Sequence, residues 1–191
     1  MHSEILRGDL EFTIINLSAI GALSKVLPEI DIMRNFEQRV DRHPEGNALN
    51  HIINCLARLN WDDSDLIKIC VLLHDVGKPV AFKDGHFHGH DEMGVPIAID
   101  IAKRLGFTEP ELEVIAWCVR HHMKLHRFDE MKDKKKRMLC EHPCIGHLMI
   151  VHEADCFNSP RPCNNDSVLA WMESKKINND SINIYKEWRA K

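Results

Sequence analysis

The sequence predicts an all-α fold, a single helical bundle, and three observations carry that reading. Apolar residues recur at helical spacing, as in Ile97, Ala98, Ile101, Ala102 and Leu105, and again in Leu112, Ile115, Ala116 and Val119. Helix start and stop signals punctuate the chain. No convincing alternating strand pair appears, and parallel α/β folds are disfavoured. With 191 residues, 44% apolar and 28% charged, the chain can bury a core without disulfide staples and is too apolar for wholesale disorder.

In chain order, helices are expected near residues 10–26, 29–40, 46–60, 64–76, 90–105, 109–125, 143–157 and 166–176, with a weaker one near 180–189. Asp63 or Ser64 supplies a start before Asp65-Leu66, and Gly77 with Pro79 a stop. Gly106 ends the helix through Leu105, and Thr108 opens the next with Pro110 in its first turn. Phe82 to Phe87 is expected to form a tight Asp84-Gly85 turn with short extended arms. No internal repeat and no Pro-, Gly- or Ser-rich linker divides the chain, so residues 1–191 read as one domain.

Lys plus Arg (25) against Asp plus Glu (29) gives a net charge of −4, which excludes a generally basic nucleic-acid-coating protein. The one charge block, Lys132 to Arg137, reads as a solvated face, with contact to the phosphates of an RNA or nucleotide as the alternative. Seven scattered cysteines, several in apolar segments such as Ile69-Cys70-Val71, suggest free thiols and a reducing cytoplasm. The stretch Phe12 to Leu23 is too short to span a bilayer and follows Glu4, Asp9 and Glu11, so neither a membrane partner nor a signal peptide is expected.

Thirteen histidines set the functional question. His74-Asp75 ends the segment Asp65 to Leu73, apolar nearly all the way round and therefore destined for a core. Burying an imidazole and a carboxylate there is costly unless something pairs with them, and a divalent cation would. Asp155 shares a largely apolar helical face with Leu148, Val151 and His152, and His51 is flanked by Ile52, Ile53 and Leu56. No Arg or Lys shares the apolar faces of Asp75 and Asp155, so a basic side-chain partner is not expected. His51, His74, Asp75 and Asp155 are thus candidate metal ligands on three helices. Mixed imidazole and carboxylate ligation suits Mn, Mg, Fe, Co, Ni or Zn, and leaves positions open for water and substrate.

The order His51, His74-Asp75, Asp155, with His74-Asp75-Val76-Gly77-Lys78 at its centre, resembles the HD superfamily of metal-dependent phosphohydrolases. The flanking stretches Leu27-Pro28-Glu29, His43-Pro44-Glu45-Gly46, Phe87-His88-Gly89-His90-Asp91-Glu92 and His121-His122-Met123 are most similar to the HD domain attached to some bacterial CCA-adding tRNA nucleotidyltransferases. The resemblance spans roughly residues 26–160 and implies one HD-type helical bundle carrying N- and C-terminal helical additions. A stretch of 191 residues is too short to hold the nucleotidyltransferase half as well, so that half is not expected within it. In two-metal members, further histidines hold a second cation with the doublet Asp bridging; the resemblance places His90, His121 and His122 in that role or in phosphate binding. One or two cations per chain are therefore expected. Adjacent helical residues point about 100° apart, so His121 and His122 should not both ligate one ion.

The implied chemistry is hydrolysis of phosphomonoester or phosphodiester bonds of nucleotides, 2′,3′-cyclic phosphates or small phosphomonoesters. A bound cation lowers the pKa of water from 15.7 to about 7; Asp75 would orient the hydroxide and His121 or His122 would give a proton to the leaving oxygen. Lys78 would clamp phosphate, and His88, on a loop at the mouth, would touch substrate; His86 reads as exposed. The cluster Cys140-Glu141-His142-Pro143-Cys144…His147 is too loose for a zinc site, and His2, His43 and His126 are assigned no role. Two other classes stand beside the enzyme: a non-catalytic metal-containing module that binds RNA, nucleotide or a protein partner, and a structural bundle with buried His-Asp hydrogen bonds. An intact second histidine set argues against the first, because a structural pin needs no open positions.

Overall fold

A computed structural model describes residues 4–6, 8–157, 159–160 and 162–191; His2 lies outside them. Among the described residues there is no strand, only two isolated bridges, Glu37 with Asn47 and Lys83 with His86. The second closes the expected turn, with Asp84 (φ 50°) and Gly85 (φ 77°) both left-handed.

Helix α1 (Leu10–Ala19) is capped by Asp9, whose carboxylate accepts from Phe12 N at 3.0 Å. The helix expected to run to residue 26 stops early, because Gly21 takes a φ of 70° and separates α1 from α2 (Leu23–Val26). After α3 (Pro28–Asp31) and a 3₁₀ turn (Ile32–Asn35), the helix expected as far as residue 40 also ends. Instead Phe36 O accepts from Ala48 N (2.9 Å) and Gln38 N donates to Gly46 O (2.8 Å), which folds residues 36–47 into a loop over the bundle.

Two helices then build the centre. Asn47 caps α4 (Ala48–Leu56) and Ser64 caps α5 (Asp65–Leu73). Every residue of α5 from Ile67 onward is buried, including Lys68, whose ammonium donates to the carbonyls of Leu6, Gly8 and Trp61. The short α6 (Lys78–Ala81) follows, then α7 (His90–Arg104) and α8 (Glu109–Leu125). Gly77 matters less as a helix stop than as a place of close approach. A Cβ there would sit 2.1 Å from His90 O and 2.6 Å from Gly94 N, so only glycine lets α7 lie against the His74-Asp75 turn.

The Lys132 to Arg137 run, read as a charge block, forms most of α9 (Asp133–Cys140). Its end is anchored by buried Leu139 and Cys140, and the Lys136 ammonium lies 4.9 Å over the Phe128 ring. The chain continues through α10 (Ile145–Asp155), α11 (Asn165–Ser174) and α12 (Ile182–Arg189). Helix α5 is the hub, packed against α4, α7, α8 and α10. All seven cysteines are free, and among the described residues no helix is long and apolar enough to cross a membrane.

Candidate metal centre

The hub helix delivers His74 and Asp75 at its C-terminal end, α4 delivers His51, and α10 delivers Asp155 from its last position. The four side chains converge. His51 Nε2 lies 3.0 Å from Asp155 Oδ1 and 3.5 Å from Asp75 Oδ2; His74 Nε2 lies 3.4 Å from Asp75 Oδ2 and 3.9 Å from Asp155 Oδ1. A second group meets the other oxygen of Asp75. His90 Nε2 (3.1 Å) and His122 Nε2 (3.4 Å) both face Asp75 Oδ1, and the two nitrogens are 3.1 Å apart. Asp75 therefore stands between two imidazole groups, one on each carboxylate oxygen.

Hydrogen bonding fixes which nitrogen points inward. His74, His90 and His122 each donate Nδ1–H to the carbonyl three residues earlier, Val71, Phe87 and Val119, at 2.8, 2.8 and 2.7 Å. His51 donates Nδ1–H to Glu45 Oε1 at 2.7 Å. Each inward Nε2 is then a lone pair in the neutral ring. His74 Nε2 is buried with no hydrogen-bond donor, and the facing lone pairs of His90 and His122 cannot satisfy one another. These residues fit a divalent cation: imidazole tautomers locked by a second partner, carboxylates between them, and a His74 Nε2 that has no hydrogen-bond partner among the described residues, with the Cys55 thiol 3.5 Å from His51 Nε2 alongside.

The electrostatics agree. Burial opposes the charge of Asp75, but Lys78 and His74 outweigh it and hold the carboxyl well below its usual range. Burial likewise opposes ionisation of Asp155, and the hydrogen bond from His126, with the His51 imidazole beside it, prevails. Glu45, with burial against it, is brought down to about 2 chiefly by its hydrogen bond from His51. Against the cost of burial, His51 is raised by Cys55 and Asp155 and His90 by Asp75, whereas burial lowers His122. The pocket is built to hold positive charge.

Several expectations need correction. Asp75 does have a basic partner: Lys78 Nζ reaches Asp75 Oδ2 at 2.5 Å and also bonds Gln38 Oε1, because the turn after Gly77 swings Lys78 back onto the site. His121 is not brought to the cluster; it packs edge-on against Trp117 at 4.9 Å, and burial with Lys124 and Arg120 lowers it to about 4. Helical geometry forces the choice, since His122 faces inward. Nor can neutral His122 give up a proton, because its only N–H is held by Val119 O.

The site opens into a cleft of about 220 Å³. Lys78, His86, His88 and His90 line it as expected, and Arg39, Arg42, His43 and His126 line it unexpectedly. Sequence reasoning passed over Glu45, which orients both His43 and His51, and His126, whose Nε2 meets Asp155 Oδ2 at 2.6 Å. Cys140, His142, Cys144 and His147 form no ligand group among the described residues; His142 stacks on Trp117 at 4.1 Å instead.

Known proteins are similar to this chain in sequence. The chain is similar to a "Multifunctional CCA protein" of Halorhodospira halophila (34% identity over 136 residues, 68% of this chain and 33% of the relative). Relatives with the same description occur in Chromobacterium violaceum (30% identity; 62% of this chain, 30% of the relative) and Ralstonia nicotianae (32%; 66% and 31%). The chain spans about a third of the length of these relatives. The sequence model described as "HD domain" matches residues 48–158, from the start of α4 to just beyond Asp155. With more than half of the chain inside that match and the paired His-Asp group at its centre, the protein belongs to the HD domain family.

Proposed function

We propose that this chain is a metal-dependent phosphohydrolase acting on phosphomonoesters or phosphodiesters of nucleotides, including 2′,3′-cyclic phosphates. The carrying observation is the pair of imidazole groups on opposite oxygens of Asp75, beside a cleft edged by Lys78, Arg39 and Arg42. His51, His74, Asp75 and Asp155 would hold one divalent cation; Asp75, His90 and His122 would hold a second, with fewer protein ligands and weaker binding. Bound cations supply Lewis acidity toward a phosphoryl oxygen and a nucleophilic water at neutral pH.

The chain's own residues do the rest. Asp75 fixes both ligand groups, and Lys78, held by Gln38 and Asp75, keeps its ammonium at the edge of the cleft where a non-bridging phosphate oxygen gains a charge-assisted hydrogen bond. Arg39, braced by Asp41 at 2.9 and 3.1 Å, and Arg42 sit farther out, where a second phosphate or a ribose-phosphate tail would lie. His88 stands at the mouth, stacked with His86. The α9 lysines do not line this cleft, so RNA, if it is a substrate, would enter by its end or by a cyclic-phosphate terminus and not along that helix. The test is metal analysis of the purified protein with a phosphatase and cyclic-phosphodiesterase screen across Mn, Mg, Co and Ni. Turnover that needs added cation and disappears in Asp75→Asn is expected; metal-independent turnover, or none on any phosphate ester, would overturn the reading.

A further inference from the structure

Behind Asp155 lies a second group of ligand-type side chains that the phosphohydrolase reading does not use. His126 from the end of α8, His152 from α10 and Cys156 just past α10 bring one ligand atom each to within 4.8 Å of one another. Cys156 Sγ is 3.5 Å from His152 Nε2 and 4.0 Å from His126 Nδ1, and the rings meet edge to face at 4.6 Å. His152 is fully buried and Cys156 is 8% exposed.

Both tautomers are set from outside the group. Asn165 Oδ1 accepts His152 Nδ1–H at 2.7 Å, and the Asn165 amide is itself fixed because its NH₂ donates to Met149 O at 2.8 Å. His126 donates Nε2–H to Asp155 Oδ2. Two nitrogen lone pairs, His152 Nε2 and His126 Nδ1, therefore face the Cys156 sulfur, whose one proton can serve only one of them, while Cys163 Sγ lies on the far side of the His152 ring, 3.8 Å from Nδ1. A cation bound by all three resolves the shortage. Tetrahedral zinc, with Zn–S near 2.3 Å and Zn–N near 2.0 Å, sets sulfur and nitrogen about 3.5 Å apart; the Cys156–His152 pair has that spacing, and His126, at 4.0 Å, would close in on the ion. Thiolate with two imidazoles selects a soft or borderline cation, whereas the group around Asp75 brings two carboxylates among its imidazoles.

We propose that His126, His152 and Cys156 form a separate zinc site, with its fourth position open. Through the His126 Nε2–H bond, zinc there would hold the Asp155 carboxylate in place from behind. The site stands or falls independently of the phosphohydrolase reading.

Cobalt(II) titration of the metal-stripped full-length protein tests it, because thiolate ligation gives a near-ultraviolet charge-transfer band that oxygen and nitrogen ligands do not. The band is expected in the wild type, absent in Cys156→Ser, and retained in Cys55→Ser, which controls for the thiol 3.5 Å from His51 Nε2. It is also expected to survive Asp75→Asn. Zinc should displace cobalt and bleach the band. No band in the wild type, a band surviving in Cys156→Ser, or one lost in Cys55→Ser overturns the proposal. Far-ultraviolet circular dichroism confirms that each variant folds.

Discussion

Asp75 shows how one side chain carries two tasks. Its Oδ2 meets His51, His74 and Lys78, and its Oδ1 meets His90 and His122. Replacing it by Asn keeps the shape but removes the charge on which both groups depend, so the cations these two groups hold and turnover should vanish together, as read by elemental analysis and phosphate release, with only metal at the His126, His152 and Cys156 group left behind. Lys78→Met behaves differently: metal content should stay within error of wild type while kcat/KM falls about 100- to 1,000-fold, the usual loss for a single transition-state donor. Retained turnover in Asp75→Asn would contradict the assignment of that carboxylate. At this scale the sequence was legible wherever a polar group interrupted an apolar helix, as at His51, His74 and Asp155. His126 and Glu45 stand among polar neighbours, and only the fold shows that they abut Asp155 and His51.

Helices set the aim of these side chains. Donation from Nδ1 to the carbonyl three residues back recurs at His74, His90 and His122, and turns each Nε2 inward. The aim depends on where each helix starts and how closely it packs. Helix α8 begins with a capping box in which Thr108 N and Oγ1 both donate to Glu111 at 2.8 and 2.7 Å; Thr108→Ala should lower stability by about 1 kcal/mol in chemical denaturation, with metal binding intact. Gly77→Ala should do more. Its Cβ would strike α7 backbone that cannot yield without moving His90, so a loss of about 1–3 kcal/mol is expected, together with weakened binding of the second cation and retention of the first. The helix pattern itself was legible from 48 onward because periodicity there coincides with burial. It failed at Gly21 and Phe36, where one positive φ and one backbone pairing override a continuous apolar pattern, and at α9, whose buried anchors Leu139 and Cys140 lie beyond the charge run.

The whole molecule ties acid stability to the same centre. Asp75, Asp155 and Glu45 are all ionised against the cost of burial because positive or hydrogen-bond-donating groups surround them. A carboxyl held lower in the folded chain than in the unfolded one binds fewer protons when folded. The stability it contributes is therefore complete above its unfolded pKa and drains away as pH falls toward the folded value. For Glu45 the window runs from the ordinary 4.5 down to about 2. The metal-free protein should thus lose Tm steeply across that interval, and Glu45→Gln should flatten the slope there by removing one proton's uptake. The amide keeps an oxygen to accept from His51, so the fold survives while the linkage is lost. Melting curves of both proteins between pH 5 and pH 2, recorded with chelator present, give the comparison; parallel slopes would mean that the contact between Glu45 and His51 does not govern the charge of this carboxyl.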